Sequence, residues 1–260
     1  MVVRPVTTTT ATKTLSGIYP VRYRADLPRR VADEYWAGPH AELVKRGGHI
    51  LEYNQYHFAE TDHGYWPATP TVGTHPAEMF RWNGVTEVRL RNYPEMARAA
   101  YGMLGTIFHD EQNVFDNVLG HVCGPGGGSW WTVGHDPSVG HRTVLLLRRR
   151  RGVRRRRFHT FVHNAFGPVL AAAGALDTRA YTFLPFTGIA HRTPGLAHSY
   201  PPGHRHDGAI IFGLPHRNDV AGLLSDPAVD DIVAQQAQTL TAVHAYSVAR
   251  TVSVIDQVGR

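Results

Sequence analysis

With 260 residues, 42% of them hydrophobic and 18% charged, the chain can bury an ample core as one large domain or two small ones. A single cysteine, Cys123, excludes an internal disulfide framework and any cysteine-rich metal centre, and no apolar run approaches the roughly 18 residues of a membrane-spanning helix. The opening "MVVRPVTTTTATKT" lacks the apolar core of a secretory leader, so residues 1–15 are expected to be a disordered tail and the compartment to be cytoplasmic.

The formal net charge is +6, and "RRRRGVRRRRF" (148–158) accounts for the excess. Clustered arginines suit phosphates. Here they flank the strand "TVLLL" and the amphipathic helix "FHTFVHNAFGPVLAAAG", with Gly152 in the turn and no interleaved aromatic platform. Solvated arginines at a strand–turn–helix junction are the better reading, and no nucleic-acid partner is expected.

In chain order, 16–25 reads as a strand and Pro28 opens a helix that Gly47 and Gly48 end. "HILEYNQYHF" (49–58) is a second strand. After the Gly/Pro/His loop 59–80 comes the strand 83–91, then a helix from "YPEMARAAYG" through "DEQNVFDN", then the strand "VLGHVC". The order β-α-β-β-α-β is ferredoxin-like. The second half follows the same order: "TVLLLRR", helix 154–174, strand 177–186, another Gly/Pro/His loop, "DGAIIFGL", helix 217–240 and "AVHAYSVART".

Anchors recur at near-constant offset, pairing Tyr53 with Tyr181, Phe58 with Phe186, and Asn83-Gly84 with Asp207-Gly208. This implies a repeat over 16–123, a linker over 124–141 and a second repeat over 142–260. A four-stranded sheet with both helices on one face leaves the other face to be covered. The expected fold is therefore α+β: two ferredoxin-like repeats whose antiparallel sheets pack within one chain as an α+β barrel, with a pocket between the sheets.

Several motifs in order carry a resemblance: "YWAGPHAELV" on the first helix, "LEYNQYHF" on the second strand, "WNGVTEVRLRN" opening the third, and "DEQNVFDN" before the last. Over residues 16–123 they resemble the EthD family of dimeric α+β barrel proteins, with Asn83 where the family usually has Asp. The second repeat resembles it less, since Phe166 stands where the first has His40 and "QQAQTL" replaces the acidic run. Proteins of this barrel type include cyclases, isomerases, dehydratases, cofactor-free monooxygenases and haem proteins, and fold alone does not choose among them.

Pro39 lacks an N–H, so the first helix is expected to kink or restart near 35–38, leaving a positive helix end beside His40. Histidine exchanges protons near neutrality, which makes His40 the candidate general acid or base. Tyr53, Gln55 and His57 share one face of the second strand and complete the candidate catalytic set. Tyr35, Trp36, Glu87, Arg89 and His121 are candidate substrate contacts. Tyr65, Trp66 and Tyr200, from the two long loops, are candidate lids.

Asp110, Glu111 and Asp116 match the family's acidic run, with Asp116 read as a structural tether. His204 and His206, with His191, His198 and His216 nearby, invite a metal, but spacing fixes no third ligand, so no metal is expected. The leading expectation is a cofactor-independent cyclase, isomerase or dehydratase acting on an apolar, oxygenated, aromatic polyketide-like small molecule of secondary metabolism. An oxygen-using enzyme, cofactor-free or haem-bearing, and a non-catalytic binder of hydrophobic metabolites are the alternatives. A homodimer of the tandem chain stays open.

Overall fold

A computed structural model describes residues 8–9, 14–124, 126–131, 138–186 and 193–257. The first half holds β1 (Thr8–Thr9), β2 (Leu15–Tyr23), α1 (Arg29–Tyr35), α2 (Ala41–Lys45), β3 (Ile50–His63), β4 (Gly84–Leu90), α3 (Tyr93–Glu111), β5 (Phe115–Val118) and β6 (His121–Cys123). The second holds β7 (Gly128–Trp131), β8 (His141–Arg149), α4 (Arg155–Phe161), α5 (Gly167–Ala172), β9 (Leu176–Thr182), β10 (Gly208–Leu214), α6 (Asp219–Leu224), α7 (Pro227–Gln236) and β11 (Leu240–Asp256). Each half is a ferredoxin-like repeat, and together they build one 11-stranded sheet in the order β1-β7-β9-β10-β8-β11-β3-β4-β2-β5, with β6 also on β2.

Two junctions close the barrel. The long strands β3 and β11 pair antiparallel from His63–Tyr246 to Glu52–Asp256 and join the half-sheets along one side. On the other side the Leu184 N–H donates to the Val122 carbonyl at 2.8 Å, and Ala197 bridges to Asn117. Helices cover the outer face of each half-sheet, so alternate strand residues point either outward to helices or into the barrel.

Side chains pack the middle of the barrel interior. Ile18, Tyr56, Val85, Val144, Leu146 and Ile211 form its apolar middle. Toward one end, Glu87 accepts from Tyr56 Oη (2.8 Å), Asn54 Nδ2 (3.0 Å), Arg179 Nη1 (2.9 Å) and Tyr181 Oη. Arg179 also reaches Glu52 at 2.7 Å, Arg89 pairs with Glu52, and Arg89 lies 3.5 Å above the Trp130 ring. Burial alone would raise the Glu87 carboxyl, but Arg179 and these hydrogen bonds hold it down at about 2. The network therefore rivets the repeats together, where a pocket between the sheets was expected.

Hydrogen-bond register corrects the internal alignment. The Phe58 N–H donates to Asn83 O and the Phe183 N–H to Asp207 O, both at 2.8 Å; His57 pairs with Gly84 as Thr182 pairs with Gly208. Phe58 thus corresponds to Phe183, Tyr56 to Tyr181 and His57 to Thr182. Pairing Tyr53 with Tyr181 is three residues out of step and puts Tyr181 on the wrong face.

Other elements differ locally. Strand β7 occupies Gly128–Trp131 in the expected linker, and Thr8–Thr9 of the expected tail pairs with Trp130–Trp131. The rest of both segments lies partly outside the described residues. The expected helix 217–240 breaks at Ser225–Asp226, where the Asp226 carboxylate caps Ala228 N–H and Pro227 starts α7. No helix among the described residues is long and apolar enough to cross a membrane.

Candidate active site

Helix α1 passes into α2 through a π-helical turn, Trp36–His40, with αR backbone angles at Tyr35, His40 and Ala41. The helix neither restarts nor frees its N–H groups beside His40, contrary to the expectation from Pro39. The π turn shifts the hydrogen-bond ladder by one residue, so the missing proline N–H costs little. The Trp36 carbonyl instead accepts from Gln55 Nε2 at 2.9 Å. The second repeat has a π turn at the same place, Val162–Phe166, without an internal proline. The proline therefore fits a turn built into the repeat and does not cause it.

The turn delivers His40 into the space between the helices and the first half-sheet. A cavity of about 250 Å³ lies there, lined by His40, Tyr19, Tyr53, Thr86 and Glu111 among apolar walls such as Val44, Val88, Leu90, Phe115 and Val118. Gly17 makes room for one wall, because a Cβ there would lie 2.5 Å from the Tyr19 ring.

His40 is 3% exposed and its Nδ1 is 2.8 Å from Asp110 Oδ2. An ionised carboxylate only accepts, so Nδ1–H donates and Nε2 carries the lone pair when the ring is neutral. Tyr53 Oη lies 3.3 Å from that Nε2. The other oxygen of Asp110 accepts from Tyr35 Oη, which in turn accepts from Asn113 Nδ2 at 3.1 Å. Burial tends to raise the Asp110 carboxyl, yet the bonds from His40 and Tyr35 bring it below the ordinary value. Burial pushes both cavity phenols, Tyr19 and Tyr53, up to about 12, so they stay protonated near neutrality. The chain Tyr35–Asp110–His40–Tyr53 links the half-exposed helix surface to the cavity.

The remaining candidates fall in three places. Gln55 and His57 share the Tyr53 face but lie beyond Trp36: Gln55 is fully buried on the Trp36 carbonyl, and His57 is 2.9 Å from Asp33 with its ring 4.0 Å from the Trp36 ring. Trp36 is a buried wedge; a Cβ on Gly84 would come within 2.5 Å of it. Glu87 and Arg89 belong to the interior network, and His121 stacks on Phe183 inside the barrel at 4.4 Å.

The loop residues cross to the opposite repeat. Trp66 donates to Gln236 Oε1 at 3.0 Å within the second repeat's core, and Tyr65 Oη is 2.9 Å from Thr143 Oγ1. Reciprocally, Tyr200 stacks on Trp82 at 4.7 Å, and Thr193 donates to Glu111 on the cavity wall. The long loops are thus exchanged straps, not lids over His40.

Asp110, Tyr19, Thr86 and Glu111 complete the site, and residue type and strand face alone do not single them out. Asp110 sits 70 positions from His40. Its signal in the sequence is the acidic pair ending an apolar helix. Asp116 lies near the second repeat's strap, where the Ala197 N–H donates to its carbonyl at 3.0 Å. Among the described residues no group of three or more histidine, cysteine or acidic side chains is placed to hold a metal; His191 lies outside them.

No protein-family model and no curated protein sequence matches the chain. Solved structures do. An anthrone oxidase-like protein aligns at TM-score 0.59 and 8% identity over 98% of both chains. A proposed monooxygenase from Fusobacterium nucleatum aligns at TM-score 0.56 and 7% identity, over 94% of this chain and 95% of that one. Another, from Lactobacillus acidophilus, aligns at TM-score 0.55 and 7% identity over 94% and 97%. At such identities the shared property is the fold: the tandem α+β barrel runs the length of each chain. The EthD resemblance of the first repeat continues to rest on its motifs.

Proposed function

We propose that the protein is a cofactor-independent enzyme that moves a proton on an apolar, oxygen-bearing small molecule bound in the first repeat's cavity. The observation that carries this reading is His40, with Nδ1 fixed by Asp110 and Nε2 turned to Tyr53 at the cavity wall. A neutral imidazole so held accepts a proton at Nε2, while the Asp110 carboxylate stabilises the imidazolium that forms. Tyr53 and Tyr19, kept protonated by burial, are donors for the enolate or phenolate oxygen left behind. Returning the proton to another carbon gives isomerisation; loss of hydroxide or attack on a second carbonyl gives dehydration or cyclisation. The cavity falls below the roughly 300–1,000 Å³ usual for drug-sized ligands, which favours a compact aromatic or polyketide-like substrate.

A second reading shares the first step. The carbanion of an electron-rich phenol can pass its electrons to molecular oxygen, and solved proteins of this fold include an anthrone oxidase-like protein and proposed monooxygenases. One experiment separates the readings. A panel of aromatic ketones and phenols is incubated with the protein in D2O, with and without oxygen, while carbon-bound deuterium and oxygen uptake are followed. Exchange without oxygen uptake, reduced about 10²–10⁴-fold in His40→Ala, is expected. Turnover only with oxygen selects the second reading. Saturable binding with neither signal leaves a carrier and overturns both.

A further inference from the structure

At the end of the barrel interior away from the Glu87 network, basic and aromatic groups gather on the strands and the second repeat's strap. Arg148 on β8 and His244 on β11 lie on adjacent strands and face inward. His244 Nδ1 is 3.0 Å from His206 Nε2, and Arg148 Nε donates to Arg205 O at 3.1 Å. The Arg205 guanidinium lies 4.7 Å over Phe186, whose ring is 5.6 Å from His121. His121 is 2% exposed and neither ring nitrogen has a partner among the described residues; His206, 4% exposed, has none among them on Nδ1.

Buried polar atoms in native proteins are rarely left unsatisfied, so three free imidazole nitrogens in one neighbourhood mark a place for an occupant. The charges indicate its sign. His206 is surrounded by His244, Arg148, His121 and His204; His244 faces Arg148, His75 and His204, and His121 faces Arg205. The acid nearest Arg148 is Asp207, which is already engaged by the Arg149 N–H at 3.0 Å and its guanidinium at 3.7 Å. Asp62, beside His63, is paired with Arg217. Burial first, and these positive neighbours second, press His121 and His244 down to about 3 and hold His206 well below its ordinary value, so an anion would restore their basicity. Phe183, Phe186 and the Trp82–Tyr200 stack supply an apolar surround. Arg148, Arg205 and Phe186 are half-buried, which leaves a way in.

The geometry points to a second ligand site at this barrel mouth, taking the carboxylate of a small aromatic acid between Arg148 and the His206–His244 pair, with His121 on its flank. The occupant would tie β8 and β11 to the strap that carries Tyr200, Arg205 and His206.

Benzoate and inorganic phosphate serve as probes, read by the shift in melting temperature near pH 6 and by histidine ring proton resonances followed as the pH is lowered toward about 4. The site predicts that benzoate stabilises the full-length protein more than phosphate does. Two or more low-titrating imidazoles should titrate about one pH unit higher in its presence. Both effects should vanish in Arg148→Met and His206→Asn and persist in Arg156→Met, which removes a surface arginine, and in His40→Asn, which alters the cavity. Should Arg148→Met fail to fold, Arg148→Lys with unchanged imidazole titration on adding benzoate supports the site equally well. Loss in His40→Asn would place benzoate in the cavity and overturn the proposal. So would loss in Arg156→Met, an equal effect of phosphate, or stabilisation indifferent to Arg148.

Discussion

The two repeats fold the same elements around different contents. In the first, the space between helices and sheet holds a cavity edged by His40, Tyr53 and Tyr19. In the second, Phe166 takes the place of His40 and is fully buried beside Trp66, which arrives from the first repeat's loop; Trp131 packs so closely that a Cβ on Gly167 would lie 2.5 Å from its ring. Thr178, four residues before Thr182 as Tyr53 is four before His57, bonds the backbone at Ala175 instead of facing a cavity. Both halves keep the π turn, so the turn alone does not make a site. One repeat is packed through, while the other keeps polar groups that packing alone would not select.

The sharpest way to break the comparison is to break what joins its halves. Arg179→Ala leaves Glu87 in the interior without its cation, while Glu52 keeps Arg89, and removing one partner of a buried ion pair typically costs about 3–5 kcal/mol. Urea unfolding should show that loss; a change below ~1 kcal/mol would mean that the network is solvated.

The filled half offers the next test. Phe166→Ala should cost about 3–5 kcal/mol, as large-to-small changes in tight cores do, while Phe166→His buries an imidazole with no Asp110 equivalent and should not create a second active cavity. His40→Ala, on a wall that is already hollow, should cost only about 1–2 kcal/mol. Equal losses at the two positions would contradict the contrast between hollow and filled.

Acid titration probes both halves more gently. His121, His163 and His244 stay neutral in the fold down to about 3, whereas unfolded histidines take up protons near 6.5. The unfolded chain therefore binds more protons across that window, and stability falls as pH drops from about 6.5 toward 3. Each histidine contributes roughly 1.4 kcal/mol per pH unit. Urea midpoints at pH 7, 6 and 5 check the slope, and His163→Asn should flatten it by about one histidine's share. Smallest of all, Tyr53→Phe should leave stability within about 1 kcal/mol while lowering proton transfer less than His40→Ala does.

Element order and the repeated ferredoxin-like pattern were legible because strands and helices write their burial into local periodicity, and two runs of one pattern reinforce each other. His40 and Tyr53 stood out through residue type and face. Asp110 stood out only as part of the acidic run, not as their partner, because nothing in local spacing ties His40 to Asp110 across 70 positions. The tyrosine anchors misled for a related reason: a register is fixed by hydrogen bonds such as His57–Gly84 and Thr182–Gly208, not by matching residue names.

By itself, then, the sequence determined the α+β class, the paired repeats and the helix that bears His40, all consequences of short-range patterning. Only the tertiary structure decided which side of the sheet is hollow. Glu87 and Arg89, candidate substrate contacts by strand face, are instead enclosed by the second sheet together with Glu52 and Arg179, and a charge network survives burial only where its members meet partners. That pairing spans both repeats and occupies one end of the barrel interior, while the cavity lies under the first repeat's helices.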